Sequence, residues 1–245
     1  MYERRLQRQI PAAALPHHVA VVVDGNRRWA KRQNGQISEG HRVGAENVVR
    51  FLQWCDELGI SVVTVYLISN HNLSKRSSDE LSELFRICSN LARVLSENPR
   101  WRIRHVGAMG NLPVTVQDAL HAAIAATQDH DGMVVNLAMA YGGRREISDA
   151  VKQIVAEHRA AGGTIDDLAE VLSEDAINSH LYTGGLPDPD LVLRTSGEQR
   201  ISDFMLWQSA NSEFYFAEAL WPDFRRVDFL RALRSYASRN RRFGG

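Results

Sequence analysis

The sequence predicts an α/β protein built on a mostly parallel central sheet with helices on both faces. Apolar, β-branched runs alternate with amphipathic helical patterns from about residue 18 onward. Several of these runs are apolar throughout, which is typical of strands that helices cover on both faces. The chain of 245 residues is long enough for one large domain with a substantial core. We therefore expect a single domain over residues 1–245.

In the first half of the chain, two apolar runs and two helical patterns alternate. Gly59 is a natural C-terminal cap for the first helix, and residues 77–80 contain the serine and acidic residues of an N-cap for the second. The predicted elements are a strand at residues 18–23, a helix at 44–58, a strand at 62–68 and a helix at 81–95.

The second half continues the same alternation, without an internal repeat or a convincing linker. The predicted strands cover residues 101–106, 133–140, 191–194 and 204–207. The predicted helices cover residues 114–127, 144 to about 160, a short segment near 165–172, and 227–236. A glycine- and proline-rich stretch at residues 184–189 is a loop that is too short to divide domains.

Composition limits the classes of function. Lysine and arginine together number 29, and aspartate and glutamate also number 29, so the formal net charge is +0. This balance argues against wholesale binding to nucleic acid or to an anionic membrane, but it does not exclude local basic clusters. The two cysteines, Cys55 and Cys88, show neither metal-ligand spacing nor a disulfide framework, which fits buried thiols in a reducing cytoplasm.

Targeting signals are not recognisable in the sequence. No apolar run approaches the ~20 residues that are needed to span a bilayer. Residues 1–10 contain three arginines but are not followed by the apolar core of a signal peptide. We therefore expect a cytoplasmic protein.

Polar clusters follow four of the predicted strands or lie beside them. They are Asp24-Gly25-Asn26, Ser69 to Asn72, Tyr141-Gly142-Gly143, and Arg194 to Ser202. In parallel sheets, ligands bind outside the carboxyl ends of the strands. Four clusters at this edge therefore predict one site.

The cluster at Asp24 combines a carboxylate, a glycine and two cations. Asp24 is suited to a divalent metal, and Gly25 lets backbone N–H groups approach phosphate oxygens. Arg28 and His41 would add direct phosphate contacts, and a helix beginning near Gly40 would present its positive end. The alternative is a turn capped by Asp24 with solvated arginines.

The cluster at Arg194 to Ser202 places two arginines and several hydroxyls around a glycine. This composition indicates an anion site, although an exposed turn with ordinary surface arginines is the alternative. Glu198 either orients Arg200 by ion pairing or is solvated. Glu213, in an aromatic-rich stretch, is either a paired helix-end charge or a second metal ligand.

Several common enzyme classes lack their motifs here. There is no Gly-x-x-x-x-Gly-Lys-Ser/Thr loop, Gly-x-Gly-x-x-Gly fingerprint, Gly-x-Ser-x-Gly elbow or His-Glu-x-x-His motif. What remains is two anion sites, candidate metal carboxylates and apolar strands that could line a hydrophobic tunnel. This combination suits a substrate with a diphosphate head and a hydrocarbon tail.

With these residues in view, the chain closely resembles the cis-prenyltransferases, the undecaprenyl diphosphate synthase family. The resemblance extends from residue 18 to residue 244, and several motifs occur in the family's order. They are Asp24-Gly25-Asn26 with Arg28-Trp29, Gly40-His41, Tyr141-Gly142-Gly143-Arg144, Asp188-Pro189-Asp190, Arg194-x-Ser196-Gly197-Glu198-x-Arg200, Glu213, Trp221-Pro222 and Arg242-Phe243-Gly244.

The resemblance implies a Mg²⁺-dependent prenyl transferase of isoprenoid biosynthesis that acts on isopentenyl diphosphate and an allylic diphosphate. Asp24 would bind Mg²⁺ and assist departure of the allylic diphosphate, with Glu213 assisting the metal. Asn72 would position the reacting groups. The substrate-binding set that it implies is Gly25, Asn26, Arg27, Arg28, Trp29, His41, Ser69, His71, Arg194, Arg200, Ser202, Arg242 and Gly244.

The two diphosphates would bind to different members of that set. The resemblance assigns the allylic diphosphate to Gly25, Asn26, Arg28 and His41. It assigns the diphosphate of isopentenyl diphosphate to Arg194, Arg200 and Ser202. It also implies a homodimer, with an N-terminal arm at residues 1–16 and a tail at residues 237–245 that carries Arg242 and Gly244 to the dimer interface. Nucleic acid is not an expected partner, and a transient membrane contact would serve release of a lipidic product.

Departures from the family pattern bear on the product. His71 and Leu73 stand where long-chain members have an acidic residue and a tryptophan around Asn72, and Ile37 or Ser38 stands near the place of a phosphate-binding arginine. Leu67 replaces a small residue and would narrow the tunnel, although core packing alone also explains it.

Leu67, Leu73 and the Asp-Gly-Asn-Arg-Arg-Trp form of the first motif resemble a short-chain subgroup that makes (2Z,6E)-farnesyl diphosphate, with geranyl diphosphate as the expected allylic substrate. The alternatives are a long-chain polyprenyl (undecaprenyl or decaprenyl) diphosphate synthase and a relative diverted to irregular coupling or terpene cyclisation. A non-catalytic partner subunit is disfavoured because Asp24 is present.

Overall fold

A computed structural model describes residues 2–239, and within this range six parallel strands form one central sheet. The strands are β1 (His18–Val22), β2 (Val62–Ser69), β3 (Arg102–Val106), β4 (Val134–Tyr141), β5 (Leu191–Arg194) and β6 (Glu213–Phe216). Their order across the sheet is β3-β4-β2-β1-β5-β6. The predicted single-domain α/β fold with a parallel sheet is confirmed, and the sheet is parallel throughout.

Ten α-helices accompany the sheet within residues 2–239. They are α1 (Tyr2–Arg8), α2 (Asn26–Arg32), α3 (Ile37–Glu57), α4 (Asn70–Lys75), α5 (Ser78–Ser96), α6 (Val114–Thr127), α7 (Gly143–Ala160), α8 (Leu168–Val171), α9 (Glu174–His180) and α10 (Arg226–Ala237). Short 3-10 turns occur at Ala12–Ala14, Met109–Asn111 and Trp221–Asp223. None of these helices is long and apolar enough to cross a membrane.

The central strand β1 is buried on both faces because apolar side chains leave it in both directions. Val19 and Val21 pack into a large core with Phe51 of α3 and Leu91 of α5. The alternate residues of β1 join a second, smaller core on the opposite face, around Phe204. Burial on both faces explains the uninterrupted apolar run that marks this strand in the sequence.

Register places the polar clusters at one edge. In β1 and β5, Val22 pairs with Arg194, so Asp24 and Thr195 follow neighbouring strand ends. In β2 and β4, Ser69 pairs with Tyr141 at the same edge. Because all strands are parallel, these ends meet on one side of the sheet.

The predicted strand at residues 204–207 is wrong. This segment forms turns, and its first residues, Phe204 and Met205, are buried against the second face of the sheet, where Phe204 stacks on Tyr66 at 4.5 Å between ring centroids. The sixth strand is β6 instead. A short apolar run is buried both when it forms a strand and when it forms a turn that packs on the sheet. Its sequence pattern therefore does not distinguish the two.

Two helices at the carboxyl edge were not expected from the sequence. The first is α2, which residues 26–32 form directly after the Asp24 loop, and the second is α4. The helix between them, α3, was expected but begins at Ile37 rather than near Gly40. The polar cluster after β2 forms the short helix α4, which Ser69 caps by accepting a hydrogen bond from the N–H of Asn72 at 3.0 Å. These helices bring further side chains to the edge.

The two termini differ in what the structure describes. The expected N-terminal arm contains α1, whose Leu6 is buried and which packs on α10. The predicted tail extends through residues that include Arg242 and Gly244, and both of these lie outside the described residues.

Candidate active site

Asp24 and Arg194 form the centre of the site at the ends of β1 and β5. Nη2 of Arg194 lies 2.8 Å from Oδ2 of Asp24. Thr195 fixes the backbone around Asp24, because its hydroxyl accepts from the Asp24 N–H at 3.0 Å and donates to the Asp24 carbonyl at 2.7 Å. The carboxylate is therefore held in place through both backbone and side chain.

Electrostatics keep the Asp24 carboxyl ionised. Burial alone would raise its pKa, but the hydrogen bond and positive charge of Arg194 outweigh burial, with smaller contributions from Ser196 and Arg28. The pKa of Asp24 is consequently below its usual range. An ionised, partly exposed carboxylate at the edge of a sheet is a ligand that Mg²⁺ prefers.

Arg194 is almost completely buried, with a side chain that is 5% exposed. Its Nη1 donates to Oγ of Ser202 and to the carbonyl oxygen of Arg200, each at 2.6 Å. Its Nε–H is buried and has no hydrogen-bond partner within the described residues. A buried guanidinium with an unused donor beside a cavity is suited to an anionic ligand.

Arg28 and Arg200 approach the same region from α2 and from the loop after β5. Arg28 donates to Oγ of Ser196 at 2.5 Å, and it lies 3.3 Å from Glu198 and 3.6 Å from Asp24. Arg200 forms an ion pair with Glu198. Of the two interpretations of Glu198, the structure shows the ion pair that orients Arg200.

The loop between β1 and α2 needs glycine. Gly25 has φ of +113°, a left-handed conformation, and a Cβ there would lie 2.9 Å from the Leu220 side chain. A Cβ on Gly40 would lie 2.2 Å from the carbonyl oxygen of Asn26. Gly25 therefore lets the loop pass close to Leu220, and Gly40 allows the close approach of α3 to α2, whose first residue, Asn26, lines the cavity.

His41 belongs to a buried cluster with Arg76 and Glu80. Arg76 Nη1 lies 3.2 Å from His41 Nε2 and 3.1 Å from Glu80 Oε1, and Arg27 Nε lies 3.7 Å from the same Glu80 oxygen. Burial, followed by the positive charge of Arg76, lowers the pKa of His41 to about 4. Since arginine only donates, Nε2 of the neutral ring is the acceptor, and the Nδ1–H is the donor.

Arg76 is a candidate site residue that the sequence patterns did not point to. It follows α4 and lines both cavities at the carboxyl edge, where its buried Nε–H has no hydrogen-bond partner among the described residues. Its sequence neighbours are serines and a lysine, which suggest a surface loop. In the fold its side chain is largely buried and pairs with Glu80 of α5 at 3.1 Å.

The principal cavity is amphipathic and has a volume of about 860 Å³. Its polar end is lined by Asp24, Arg194 and Arg200, and its interior is lined by apolar residues of α3, β2 and α5. The apolar lining includes Ala45, Val48, Leu67, Leu84, Ile87 and Leu91. The predicted hydrophobic tunnel behind a charged rim is thus present as a cavity.

A second cavity of about 660 Å³ adjoins the first at its charged end. Asp24, Asn26, His41, Arg76 and Arg200 line both. The second cavity is otherwise lined mainly by residues of α2 and of the loops on either side of it, including Gly25, Arg27 and Arg28. The two cavities therefore meet at Asp24 and share Arg76 and Arg200, while Arg194 lines only the first and Arg27 and Arg28 line only the second.

Helix α4 completes the wall of the principal cavity. Ser69, His71 and Asn72 all line it, as does Ser202 on the opposite side. Trp29 lines neither cavity, and its indole N–H donates to Asp223 at 2.8 Å instead. The structure therefore gathers most of the predicted site residues but leaves Trp29 outside.

Glu213 is not near Asp24 within this chain. It begins β6 and pairs in register with Leu191, at the start of β5, whereas Arg194 pairs with Phe216 at the other end. Glu213 therefore lies at the opposite edge of the sheet, where it forms an ion pair with Arg239. Glu213 is thus a paired charge, but the interpretation that it lies at a helix end is wrong, because it begins a strand.

The described residues contain no group of three or more His, Cys, Asp and Glu side chains that could hold a metal ion. Asp24 alone nevertheless fits Mg²⁺, because this ion is commonly bound through one or two carboxylates, with substrate phosphates and waters as the remaining ligands. The neighbouring cations suit the phosphates that such a metal would bring.

A buried hydrogen-bond network supports the loop that carries Ser202. The Tyr141 hydroxyl donates to Glu146 at 2.5 Å and accepts from the Met205 N–H at 3.1 Å. Glu146 also accepts from the Tyr182 N–H and the Gln208 amide, each at 3.0 Å. Burial raises the pKa of Glu146, although these hydrogen bonds oppose the increase.

The loop that carries Ser202 has an unfavourable backbone conformation. Ser202, Asp203 and Met205 have φ values of 51°, 62° and 46°, a region that non-glycine residues rarely adopt. The N-terminus of α7 holds the loop as well, because Gly143 N–H donates to the Asp203 carbonyl at 2.7 Å and Arg144 N–H donates to its carboxylate at 3.1 Å. The loop conformation thus depends on contacts beyond its own residues.

Comparison with known proteins agrees with this geometry. Residues 22–244 match the prenyltransferase family model that is described as undecaprenyl diphosphate synthase. The chain belongs to this family, and it is a prenyltransferase.

Individual relatives cover almost the whole chain. It is 53% identical to a (2Z,6E)-farnesyl diphosphate synthase of Thermobifida fusca, over 100% of this chain and 96% of the relative. It is 46% identical to a short-chain Z-isoprenyl diphosphate synthase of Mycobacterium bovis, over 100% and 94%. Lavandulyl diphosphate synthase from Lavandula x intermedia, solved with dimethylallyl diphosphate, shares the fold with a TM-score of 0.88 and 36% identity, over 95% of this chain and 100% of that one.

Proposed function

We propose that the protein condenses isopentenyl diphosphate with a short allylic diphosphate, geranyl diphosphate being the expected one. The reaction joins the two in cis configuration, releases diphosphate and gives a short-chain Z-prenyl diphosphate such as (2Z,6E)-farnesyl diphosphate. The observation that carries the proposal is the principal cavity, in which Asp24, Arg194 and Arg200 line one end and apolar side chains line the other. The names of two relatives support the short chain.

Asp24 is the proposed ligand of Mg²⁺. Bound there, the metal supplies positive charge that stabilises a departing diphosphate. The lowered pKa of Asp24 and its position where the two cavities meet support this role. Arg194 holds the carboxylate in place and keeps it charged.

The allylic diphosphate is assigned to the second cavity. Gly25 and Asn26 offer backbone and amide groups there, and Arg27 and Arg28 add charge. His41 is neutral at physiological pH because of its low pKa, so it serves as a hydrogen-bond donor through Nδ1–H rather than as a cation. The hydrocarbon tail would extend into the apolar part of the principal cavity, where water is excluded from the developing allylic cation.

The diphosphate of isopentenyl diphosphate is assigned to the region of Arg194, Arg200 and Ser202. Arg194 holds Ser202 and the Arg200 carbonyl, so the three groups form one preorganised unit. Asn72, with Ser69 and His71 on the same wall, is placed to orient the isopentenyl group. Holding both substrates in one cleft supplies the orientation that a bimolecular reaction otherwise lacks.

The assembly is a further part of the proposal. A homodimer in which residues 237–245 reach the interface would give a role to Arg242 and Gly244, and it would allow Glu213 to assist the metal from a partner copy. The cytoplasmic location and a transient membrane contact during product release also belong to this proposal.

The test is product analysis with labelled isopentenyl diphosphate and either geranyl or (2E,6E)-farnesyl diphosphate, in the presence of Mg²⁺. Formation of a single C15 product from geranyl diphosphate supports the proposal. A ladder of long products would assign the protein to the long-chain synthases, and a branched or cyclic product would assign it to irregular coupling or cyclisation. No turnover with either allylic substrate would contradict prenyl chain elongation altogether.

A further inference from the structure

A face remote from the active site is unusually basic. It consists of α1, α10 and Arg225, which precedes α10, and we refer to it as the basic face. Its seven arginines are Arg4, Arg5, Arg8, Arg225, Arg226, Arg231 and Arg234. The same segments carry two carboxylates, Glu3 and Asp228, so their net charge is +5.

The charge is segregated rather than simply high. Because the whole chain has a formal net charge of +0, the remainder of the protein carries a net charge of −5. Asp228 neutralises part of the charge of Arg225 and Arg231, and Glu57 of α3 pairs with Arg226 at 2.9 Å. Within residues 2–239, no carboxylate lies within ion-pair distance of the exposed Arg4, Arg5 or Arg8.

The basic face is a built surface, because α1 is docked on α10. Leu6 of α1 is buried to 1% exposure, the guanidinium of Arg231 lies 5.7 Å from the centre of the Tyr2 ring, and Arg234 donates to Gln9 at 3.5 Å. With Leu6 turned inward, helical geometry turns Arg4 and Arg8 outward.

A groove between the two helices combines charge with apolar surface. It has a volume of about 470 Å³ and is lined by Tyr2, Glu3, Arg4, Gln7, Arg226 and Val227. Tyr2 remains 52% exposed. The groove shares no lining residue with the two cavities of the active site.

We propose that the basic face docks on a lipid surface that carries anionic headgroups. Clusters of four to eight arginines on an amphipathic helix favour anionic membranes, and an exposed aromatic ring at the edge of such a cluster suits the interface. A planar membrane contacts only the face that is turned toward it, so the acidic remainder of the molecule does not oppose binding. A nucleic-acid duplex, in contrast, favours a longer basic stripe and a net positive protein.

The test is co-sedimentation of the full chain with vesicles of phosphatidylcholine, with and without phosphatidylglycerol. We expect binding to the anionic vesicles only, and loss of this binding at high salt, where exposed charges are screened. The variant R4Q/R5Q/R8Q should bind on the order of 100-fold more weakly, because each arginine near the surface contributes a factor of about five. Prenyl transfer measured without vesicles should be unchanged.

A matched control distinguishes the effect of the basic face on binding from the effect of the total charge. The variant R86Q/R93Q/R100Q removes three arginines whose side chains are 70%, 63% and 63% exposed elsewhere, and it should bind vesicles like the wild type. If helix α1 unfolds in R4Q/R5Q/R8Q, the variant R225Q/R234Q provides a second test, because it removes charge only from the α10 side of the basic face. It should bind on the order of 10-fold more weakly than the wild type.

Three results would overturn the proposal. They are no binding of the wild type to anionic vesicles, equal binding to vesicles of phosphatidylcholine alone, and equal loss of binding in the two triple variants. Tighter binding to a DNA duplex than to vesicles at the same salt, lost in R4Q/R5Q/R8Q, would assign the basic face to nucleic acid instead. The proposal does not depend on which prenyl product the enzyme makes.

Discussion

At the scale of single residues, Asp24 carries the first prediction. Asp24→Asn keeps the size of the side chain but removes the charge that Arg194 stabilises at 2.8 Å. We expect kcat to fall at least about 100-fold, because a neutral amide is a poor ligand for Mg²⁺ and the leaving diphosphate loses stabilisation. Steady-state kinetics with Mg²⁺ present measures the effect.

Asp118→Asn is the matched control for that change. Asp118 is an exposed carboxylate on α6, outside both cavities, and its substitution should leave kcat unchanged. Circular dichroism of both variants checks that the fold is retained. Wild-type turnover by a folded Asp24→Asn sample would contradict the role assigned to Asp24.

Leu67 carries the second prediction. Its side chain is partly buried and lines the principal cavity from β2, next to the polar wall formed by Ser69. Leu67→Ala enlarges the apolar part of the cavity, so we expect products longer by one or more isoprene units. Chromatography of dephosphorylated products from geranyl diphosphate measures the change in length.

Leu191→Ala provides a comparison for Leu67→Ala. Leu191 is buried in β5 and lines neither cavity, so the same truncation there should lower the free energy of unfolding by about 2–5 kcal/mol without altering product length. If Leu67→Ala gives the wild-type product distribution, the residue packs the core and does not limit chain length.

At the scale of elements, the loop after β5 depends on the end of β4 and the N-terminal part of α7. Tyr141→Phe removes the hydroxyl that accepts from the Met205 N–H and leaves Glu146 with one fewer donor. We expect the loop that carries Ser202 to lose its left-handed conformation part of the time. KM for isopentenyl diphosphate should then rise about 10-fold, a cost of about 1.4 kcal/mol, with KM for the allylic substrate unchanged.

The control for Tyr141→Phe is Tyr182→Phe. The Tyr182 hydroxyl donates to Asp149 at 2.7 Å and forms no hydrogen bond to the Ser202 loop among the described residues. Its removal should alter neither KM. Equal increases in both KM values after Tyr141→Phe would indicate general loosening of the fold rather than positioning of one substrate.

Elements were predictable from the sequence where burial is strong and periodic. Residues 18–22 and 62–69 are apolar runs between polar clusters, and both are strands. The strand β6 was not predicted because its four residues are all partly exposed at the sheet edge, so neither an alternating nor a fully buried apolar pattern marks it. The helix α2 was not predicted because only Ala30 of its seven residues is buried, so no apolar period marks it.

The candidate site was likewise predictable from the sequence only in part. Asp24 and Arg194 follow strands, and the parallel topology alone brings them together. Arg76 could not be placed, because its inward direction depends on how α4 and α5 meet. The position of Glu213 could not be predicted either, because it requires knowing where β6 begins and how it pairs with β5.

At the scale of the whole molecule, stability depends on two buried histidines. His18 is fully buried; it donates through Nδ1 to the Pro187 carbonyl at 2.7 Å and accepts through Nε2 from Thr64 at 2.8 Å. Burial lowers the pKa values of His18 and His41 to about 4. Both rings are therefore neutral in the folded protein at mildly acidic pH.

This difference predicts acid sensitivity with a defined direction. The unfolded chain binds protons at these histidines with a pKa of 6.5, whereas the folded protein does not bind them until about pH 4. Unfolding thus takes up protons between these values, and the free energy of unfolding falls as the pH falls through this window. Between about pH 7.5 and about pH 5, each histidine should cost about 2 kcal/mol. Urea unfolding at a series of pH values measures the slope.

The variant His18→Gln tests the assignment, because glutamine can donate and accept but does not titrate in this range. Because an amide does not reproduce the hydrogen-bond geometry of the imidazole, the variant should be less stable than the wild type near pH 7.5. Its stability should nevertheless fall less steeply toward pH 5. His158 and His180, whose pKa values are raised by Asp167 and Glu157, act in the opposite direction, but they lie near the surface, partly exposed, and solvent screens their contribution. An unchanged slope in His18→Gln would show that this ring is not the source of the acid sensitivity.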